Sequence, residues 1–419
     1  SWYLHIRFYK SGFSKPPTEL LFETKHLGSS PGFSSHALEK GLVVRDYEAV
    51  RVMLVRWWEF MQHEDTRELT MRKQLGWVDD NHSGFVVGDV ELLGNGKIKH
   101  SPCDGELKKA ATYLQPKGDL ETWKKIVEPF SRAGWDSRAF AFASAFGSVL
   151  MSPAFKQRGV LLSLISSESG TGKTTLLKCI NSVFGHPEDM LSQAGDTMNA
   201  LILRLGVCNS ISFTMDELTN MCAHREYNSE KGGGSGAMGK LISTISQGRD
   251  KERMLSSLNA LRENNATWRT ICVSTANASA LDYIRANKHN DGESMRLMEY
   301  NLDLTKEVTL GRDERIELYD VALYENYGLA GRIYVDWVIT HLTEVVNHVH
   351  AIHDELEASV GYMIKERFWS AAMSCIIAGC DIANKLGLWD KKASEMFTWV
   401  THDLVPNLRD DSLSEGVDY

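Results

Sequence analysis

The run Ser167-Glu168-Ser169-Gly170-Thr171-Gly172-Lys173-Thr174-Thr175 sets two glycines, a lysine and two hydroxyls side by side. Gly170 and Gly172 let backbone N–H groups turn inward around phosphate oxygens, with Ser167, Ser169 and Thr171 completing the loop. Lys173 is spaced to reach the β- and γ-phosphates, Thr174 offers a hydroxyl to Mg²⁺, and Thr175 follows at the phosphate-facing helix start. The order is that of a Walker A loop, with Ser167 where a first glycine is usual. A plain Gly/Ser loop ahead of an ordinary helix is the competing reading.

Two more candidates follow downstream. Phe213-Thr214-Met215 ends in Asp216 and Glu217, 43 residues after Lys173. In an ATPase the first acid holds Mg²⁺ through water and the second orients the attacking water, so Asp216 is assigned to the metal and Glu217 to general base. A helix-starting acidic pair would look the same. Val273-Ser274-Thr275-Ala276-Asn277 places a polar amide, Asn277, where it would sit between the γ-phosphate and the acids. A turn-forming asparagine is the plainer alternative.

These residues need particular elements to position them. Val160–Ile165 is a continuous apolar strand, as expected when both faces are covered in a parallel sheet, and 175–180 has a helical pattern. Ile211–Met215 and Thr270–Ser274 are two further strands separated by helical stretches, which predicts an α/β layer over 159–305. Residues 1–115 mix β-type runs (Tyr3–Phe8, Phe85–Gly88) with a helical stretch at 47–63, and read as a small α+β domain. Residues 116–158 read as a helical linker or collar, 306–409 as an all-helical domain, and 410–419 as a solvated acidic tail. The Gly-rich stretch Ser229–Gly239 reads as a loop.

Composition narrows the classes. Of 419 residues, 43% are hydrophobic and 24% charged, which excludes wholesale disorder and fibrous classes. The net charge of −9 argues against a surface coated with nucleic acid but leaves room for a local basic channel. Seven cysteines without CxxC spacing suit a reducing, cytoplasmic setting rather than a disulfide framework. No apolar run reaches membrane-spanning length, so no membrane partner is expected. The first residue is Ser1, with no Met or signal pattern, which fits a piece cut from a longer polypeptide.

Arginines raise the question of assembly. Ring-forming ATPases complete each site with an arginine from the next subunit, worth about 10³–10⁵ in rate. Arg296, just ahead of a β-like run, is the first candidate for that role and Arg285 the second. A surface arginine with a salt-bridge partner is the alternative. Between the acids and Asn277, the stretch 248–269 carries Arg249, Lys251, Arg253, Arg262 and Arg269. Lys251, Arg253 and Arg262 are candidates to meet DNA phosphates from a hairpin over 256–265; a solvated loop of mixed charge is the other reading.

The order SGTGKTT, TMDE, QGRDKER, a tryptophan before the third strand, and GESMR resembles the helicase-like AAA+ domain, of superfamily 3 type, of phage and mobile-element primase–helicase proteins. That domain was long catalogued as of unknown function. Leu75-Gly76-Trp77 with Gly84–Val87, Tyr327–Gly331, Glu366-Arg367-Phe368 and Gly387-Leu388-Trp389 extend the resemblance over most of the chain. Ser167 departs from the family's glycine, and Ser229–Gly239 looks like an insertion. The resemblance implies an α/β P-loop fold with an AAA+-like parallel sheet, and an ATP- and Mg²⁺-dependent hexameric DNA helicase or translocase. It implies single-stranded or forked DNA as partner and a primase or polymerase on the same chain or complex, in a bacterial host cell or encoded by a phage. A nucleotide-switched loading, assembly or remodelling ATPase that does not unwind DNA is the alternative.

Three further features remain. His348, His350 and His353, with Asp354 and Glu357, could ligate a metal, against a solvated helix surface. Trp57-Trp58 reads as packing more readily than as a base-stacking platform. Arg367 beside Phe368 reads either as a reach toward a neighbour's phosphates or as helix packing.

Overall fold

The computed structural model describes residues 3–8, 18–63, 70–103, 105–166, 170–219, 235–250, 266–285, 294–302, 310–362 and 364–413. It divides into two compact units, Ser1–Thr70 and Met71–Tyr419.

In the first unit, strand β1 (Tyr3–Phe8) pairs antiparallel with β2 (Thr18–Glu23). Helices α1 (Ser30–Glu39) and α2 (Tyr47–His63) follow. The Ser29 side chain caps α1 by accepting from the Gly32 N–H at 3.3 Å. Leu4, Leu20, Phe22, Leu27, Phe33, Ala37 and Leu54 form the core. Trp58 packs against it, whereas Trp57 is 56% exposed.

The second unit opens with a small antiparallel meander, β3 (Gly76–Trp77), β4 (Phe85–Val87), β5 (Val90–Leu92) and β6 (Ile98–His100). Residues 1–115, expected to form one domain, therefore contribute to both units. The reason lies in long-range bonds. The Leu75 N–H donates to the Val207 carbonyl at 2.8 Å, and the Trp77 indole N–H donates to the Val149 carbonyl at 2.8 Å. Helices α3 (Gly105–Tyr113), α4 (Leu120–Val127) and α5 (Asp136–Ala154) come next. Helix α5 is buried continuously from Arg138 to Met151, as befits a helix apolar all round. Its Gly147 meets Gly379 of the helix Arg367–Lys385. A Cβ on Gly379 would lie 2.7 Å from the Gly147 nitrogen, so only glycine allows this crossing.

At the centre is a four-stranded parallel sheet: β7 (Gly159–Ile165), β8 (Phe213–Met215), β9 (Thr270–Ala276) and β10 (Leu297–Asn301), in the order β10-β7-β9-β8. Alternate residues of β7 feed two cores. Val160, Leu162 and Leu164 face one, and Leu161 the other, so both faces are covered. Helix α6 (Lys173–Ser182) follows β7, and α7 (Met198–Cys208) precedes β8.

From Arg312 to Leu413 the described residues hold helices and no strand. The last helix, Val405–Leu413, runs into the stretch expected to be a solvated tail. The helix Ser235–Gln247 likewise begins inside the Gly-rich stretch expected to be a loop. No helix among the described residues is long and apolar enough to cross a membrane.

Candidate functional site

The buried strand β7 delivers the chain to a turn that must reverse into α6. Gly170 and Gly172 sit there with φ of +79° and +81°, a region side chains avoid. Among the described residues a Cβ on either would meet nothing within 4 Å, so it is the backbone conformation that requires glycine. Gly172 caps α6 with no side-chain hydrogen bond, and the first turn holds no acid. The helix start thus keeps its N–H groups and positive end for an incoming anion. Ser167 and Ser169 lie outside the described residues.

Parallel register brings the other candidates to the same edge. Ile165 pairs with Ala276, and Met215 with Ser274, so Asn277 and Asp216-Glu217 emerge beside the cradle. Because β9 lies between β7 and β8, Asn277 falls between the lysine and the acids. Lys173 Nζ donates to the Ser166 carbonyl at 2.7 Å, to Asn277 Oδ1 at 2.6 Å and, more weakly, to the Ala276 carbonyl at 3.4 Å. Asn277 Nδ2 donates to both Glu217 carboxylate oxygens at 3.0 Å. Thr174 Oγ1 donates to Asp216 Oδ2 at 2.9 Å. Burial lowers the Lys173 pKa below the usual lysine range, while the charges of Glu217 and Asp216 act in the opposite sense.

Thr275, which sequence reasoning passed over, ties the acids together. Its hydroxyl donates to Asp216 Oδ1 and accepts from the Glu217 N–H at 3.3 Å. Glu217 itself has φ of +57°, an uncommon conformation for a side-chain-bearing residue and one that clusters at functional sites. Arg138 was also missed. It is 3% exposed, and its Nη2 donates to the Thr171 carbonyl of the cradle at 3.1 Å. A basic residue directly ahead of the apolar stretch Ala139–Phe146 was the available signal.

Arg296 is placed elsewhere. It precedes β10, which runs parallel to β7, so it lies at the opposite end of the sheet from its own cradle. Its guanidinium carbon is 5.8 Å from the Phe368 ring centroid, and that of Arg367 is 5.4 Å from the same ring. The Trp369 indole N–H donates to the Leu297 carbonyl at 3.1 Å, fixing this corner. Arg285 ends the helix Ala280–Arg285, and its side chain is outside the description. Lys251, Arg253 and Arg262 lie outside the described residues. The flanks of that stretch pair: Arg249 bridges Thr267 antiparallel, and the Asp250 N–H donates to the Ala266 carbonyl at 2.9 Å.

The three histidines engage three different partners. His348 Nε2 lies 2.9 Å from Asp381, His350 Nε2 lies 2.9 Å from the Ala154 carbonyl, and His353 Nε2 lies 3.3 Å from Ser370 Oγ. Only His353, of the three, has ligand-type atoms grouped with those of Asp354 and Glu357, on a largely exposed surface.

Residues 34–254 match the family described as a domain of unknown function, DUF927. Among solved structures, the chain is similar to one described as SCCmec type IV Cch, an active helicase, with a TM-score of 0.70 and 18% identity over 99% of this chain and 76% of that one. Likeness to an inhibitor-bound JCV helicase has a TM-score of 0.32 and 13% identity, over 56% of this chain and 65% of that one. For the apo NrS-1 C-terminal region the TM-score is 0.28 at 13% identity, over 75% and 77% of the two chains. Only the first of these is close enough to define the fold. Together with the parallel sheet and its covering helices, it shows an α/β fold shared with that structure. No curated protein sequence matches this chain.

Proposed function

The chain belongs to the DUF927 family, and from that premise and the site just described we propose that it is a ring-forming, ATP-dependent DNA helicase or translocase. In this reading it hydrolyses ATP with Mg²⁺, moves as a hexamer on single-stranded or forked DNA, and serves a phage or mobile-element replication system in a bacterial cytoplasm. A primase or polymerase on the same chain or complex is its natural companion. The P-loop core spans 159–305, with an α+β part before it and a helical part after it.

One observation carries the proposal. Lys173 and Thr174 from α6, Asp216 and Glu217 from the end of β8 and Asn277 from the end of β9 form, through Thr275, one hydrogen-bonded set beside a glycine cradle. The Thr174 hydroxyl and the Asp216 carboxylate are hard oxygen donors 2.9 Å apart, the kind of set Mg²⁺ accepts while keeping several waters. Bound there, Mg²⁺ would neutralise charge on the β- and γ-phosphate oxygens.

The chain's own groups do the rest. The Gly170–Gly172 amides and the α6 start receive the phosphates, and Lys173 exchanges its carbonyl partners for phosphate oxygens. Glu217 takes the proton of the attacking water. Asn277, which now holds both Lys173 and Glu217, senses the γ-phosphate by giving up those bonds. Arg296, far from its own cradle, serves a neighbour's. Lys251, Arg253 and Arg262 are proposed to meet DNA phosphates from the stretch between the paired flanks at 249 and 267.

The test is ATPase turnover with and without single-stranded DNA, run beside strand separation on a forked duplex. Stimulation and unwinding are expected. Hydrolysis without either points to a nucleotide-switched loading or remodelling ATPase instead, and refutes the helicase reading.

A further inference from the structure

One carboxylate in the middle of the central sheet has no part in the chemistry described so far. Glu299 is the third residue of β10 and is 3% exposed. Its strand neighbours Met298 and Tyr300 face one apolar core, and Leu297, two residues before it, faces the other. A charge in such a place is costly unless its oxygens are hydrogen-bonded. Burial raises the Glu299 pKa above the usual carboxylate range, and the hydrogen bonds to its oxygens act in the opposite sense.

Three of those bonds come from one short stretch of chain. The Ser279 hydroxyl donates to Glu299 Oε1, the Ala280 N–H donates to Oε2 at 2.8 Å, and the Leu281 N–H donates more weakly to Oε1 at 3.4 Å. Ser279 precedes the helix Ala280–Arg285, and the other two residues begin it. That helix start already has a local cap, because Ser279 Oγ accepts the Asp282 N–H at 3.2 Å. A buried carboxylate from another strand is therefore not needed to start the helix; what it adds is a fixed place for it. Strand β7 lies between β10 and β9, so the clamp reaches across β7 to the chain leaving β9. On the other side of Asn277, the Ala276 carbonyl accepts the Ser166 N–H at 3.3 Å. Asn277 and Ala278 are thus two residues strung between fixed points.

We propose that Glu299 is a positioning residue for hydrolysis: by clamping Ser279, Ala280 and Leu281 it holds Asn277 where Lys173 and Glu217 meet it. The inference rests on the role given to Asn277 in the reading above, and adds to it a group that touches neither nucleotide nor metal. Glu299→Gln keeps the size of the side chain and removes half of its acceptors. An amide has one acceptor oxygen where the carboxylate has two, so the Ala280 and Leu281 N–H groups, which bond to different oxygens, cannot both keep theirs. The clamp then opens at one point and Asn277 gains play. A misplacement of about 1 Å in a positioned group can cost about 10²-fold in rate.

The experiment is a double-mutant cycle on the full chain, reading Mg·ATP binding at equilibrium and single-turnover hydrolysis for wild type, Glu299→Gln, Asn277→Ala and the two combined. Glu299→Gln is expected to keep the ATP Kd within about threefold of wild type and to slow hydrolysis about 10–100-fold. In the Asn277→Ala background the same change should slow hydrolysis by no more than about twofold, because the side chain it positions is gone. A residue that only holds the fold together would cost the same in both backgrounds. Ser279→Ala removes one donor of the clamp and leaves the carboxylate its two N–H partners, so it repeats the cycle in milder form where Glu299→Gln does not fold. Unchanged hydrolysis in Glu299→Gln, a loss of ATP binding that matches the loss of rate, or equal slowing in both backgrounds overturns the assignment of Glu299 and leaves the site intact. If Asn277→Ala turns over as wild type does, or if wild type hydrolyses no ATP, the reading of the site itself fails, and this inference with it.

Discussion

Asn277→Ala tests the hydrogen-bonded set at its centre. The substitution removes an acceptor 2.6 Å from Lys173 Nζ and a donor 3.0 Å from each Glu217 oxygen. Lys173 retains the Ser166 carbonyl at 2.7 Å, so its charge is not stranded. A hydrogen bond to a charged group contributes about 1.5–3 kcal/mol. Asn277 is exposed, which reduces the two together to about 1–3 kcal/mol through solvent screening. In the proposed cycle these resting bonds break when the γ-phosphate arrives, and a new bond to phosphate of about 1.5–3 kcal/mol replaces them. Loss of the side chain deletes both sides of that exchange. The ATP Kd should therefore stay within about tenfold of wild type. Turnover should fall further, by about 10²–10³, the cost of removing one polar group aimed at the reacting phosphate. Equilibrium binding of Mg·ATP beside single-turnover hydrolysis separates the two. Turnover within about threefold of wild type, or a collapse of binding and turnover together, would refute the reasoning.

Other expectations are shorter. Glu217→Gln should bind Mg·ATP normally and arrest hydrolysis in a single-turnover assay; retained hydrolysis removes Glu217 as the base. Lys173 bears on pH dependence, because burial holds its pKa below the usual lysine range. The protonated form grips phosphate, so affinity is full at neutral pH and is lost as pH rises through that lowered pKa. Binding there should take up a proton, which calorimetry in buffers of different ionisation heat will show; pH-independent affinity beyond the normal lysine range contradicts it. Arg296→Ala and Lys173→Ala chains, each inactive alone, should regain partial ATPase activity when mixed, since an intact cradle then meets an intact arginine; no recovery at any ratio counts against a shared site.

The strand–loop–helix at 159–182 was legible because its signals are local: an apolar run, glycines and a helical pattern in immediate succession. The three strand ends bearing Ser166, Asp216 and Asn277 were legible for the same reason. Thr275 was not, because its part depends on the register that sets β9 between β7 and β8. Arg138 reaches the cradle only through packing of α5 against a loop 33 residues further along the chain. The division near residue 70 was equally hidden. It follows from the meander's bonds to Val149 and Val207, which no local pattern announces. The three histidines left a metal site and a solvated helix surface both open in the sequence; in the fold their imidazoles reach separate neighbours, and only His353 of the three stays grouped with Asp354 and Glu357.

Strand β9 has a mechanical consequence. Its seven residues are hydrogen-bonded to β7 along their whole length, and from Cys272 to Ser274 they are bonded to β8 as well. One tip carries Asn277; the other joins, through Trp268, the paired neck at Arg249 and Thr267. Such a strand, roughly 20 Å long, is a push-rod with little slack. In the proposed cycle, a displacement of the asparagine would be passed along this strand to the neck, and a displacement of the neck back to the asparagine.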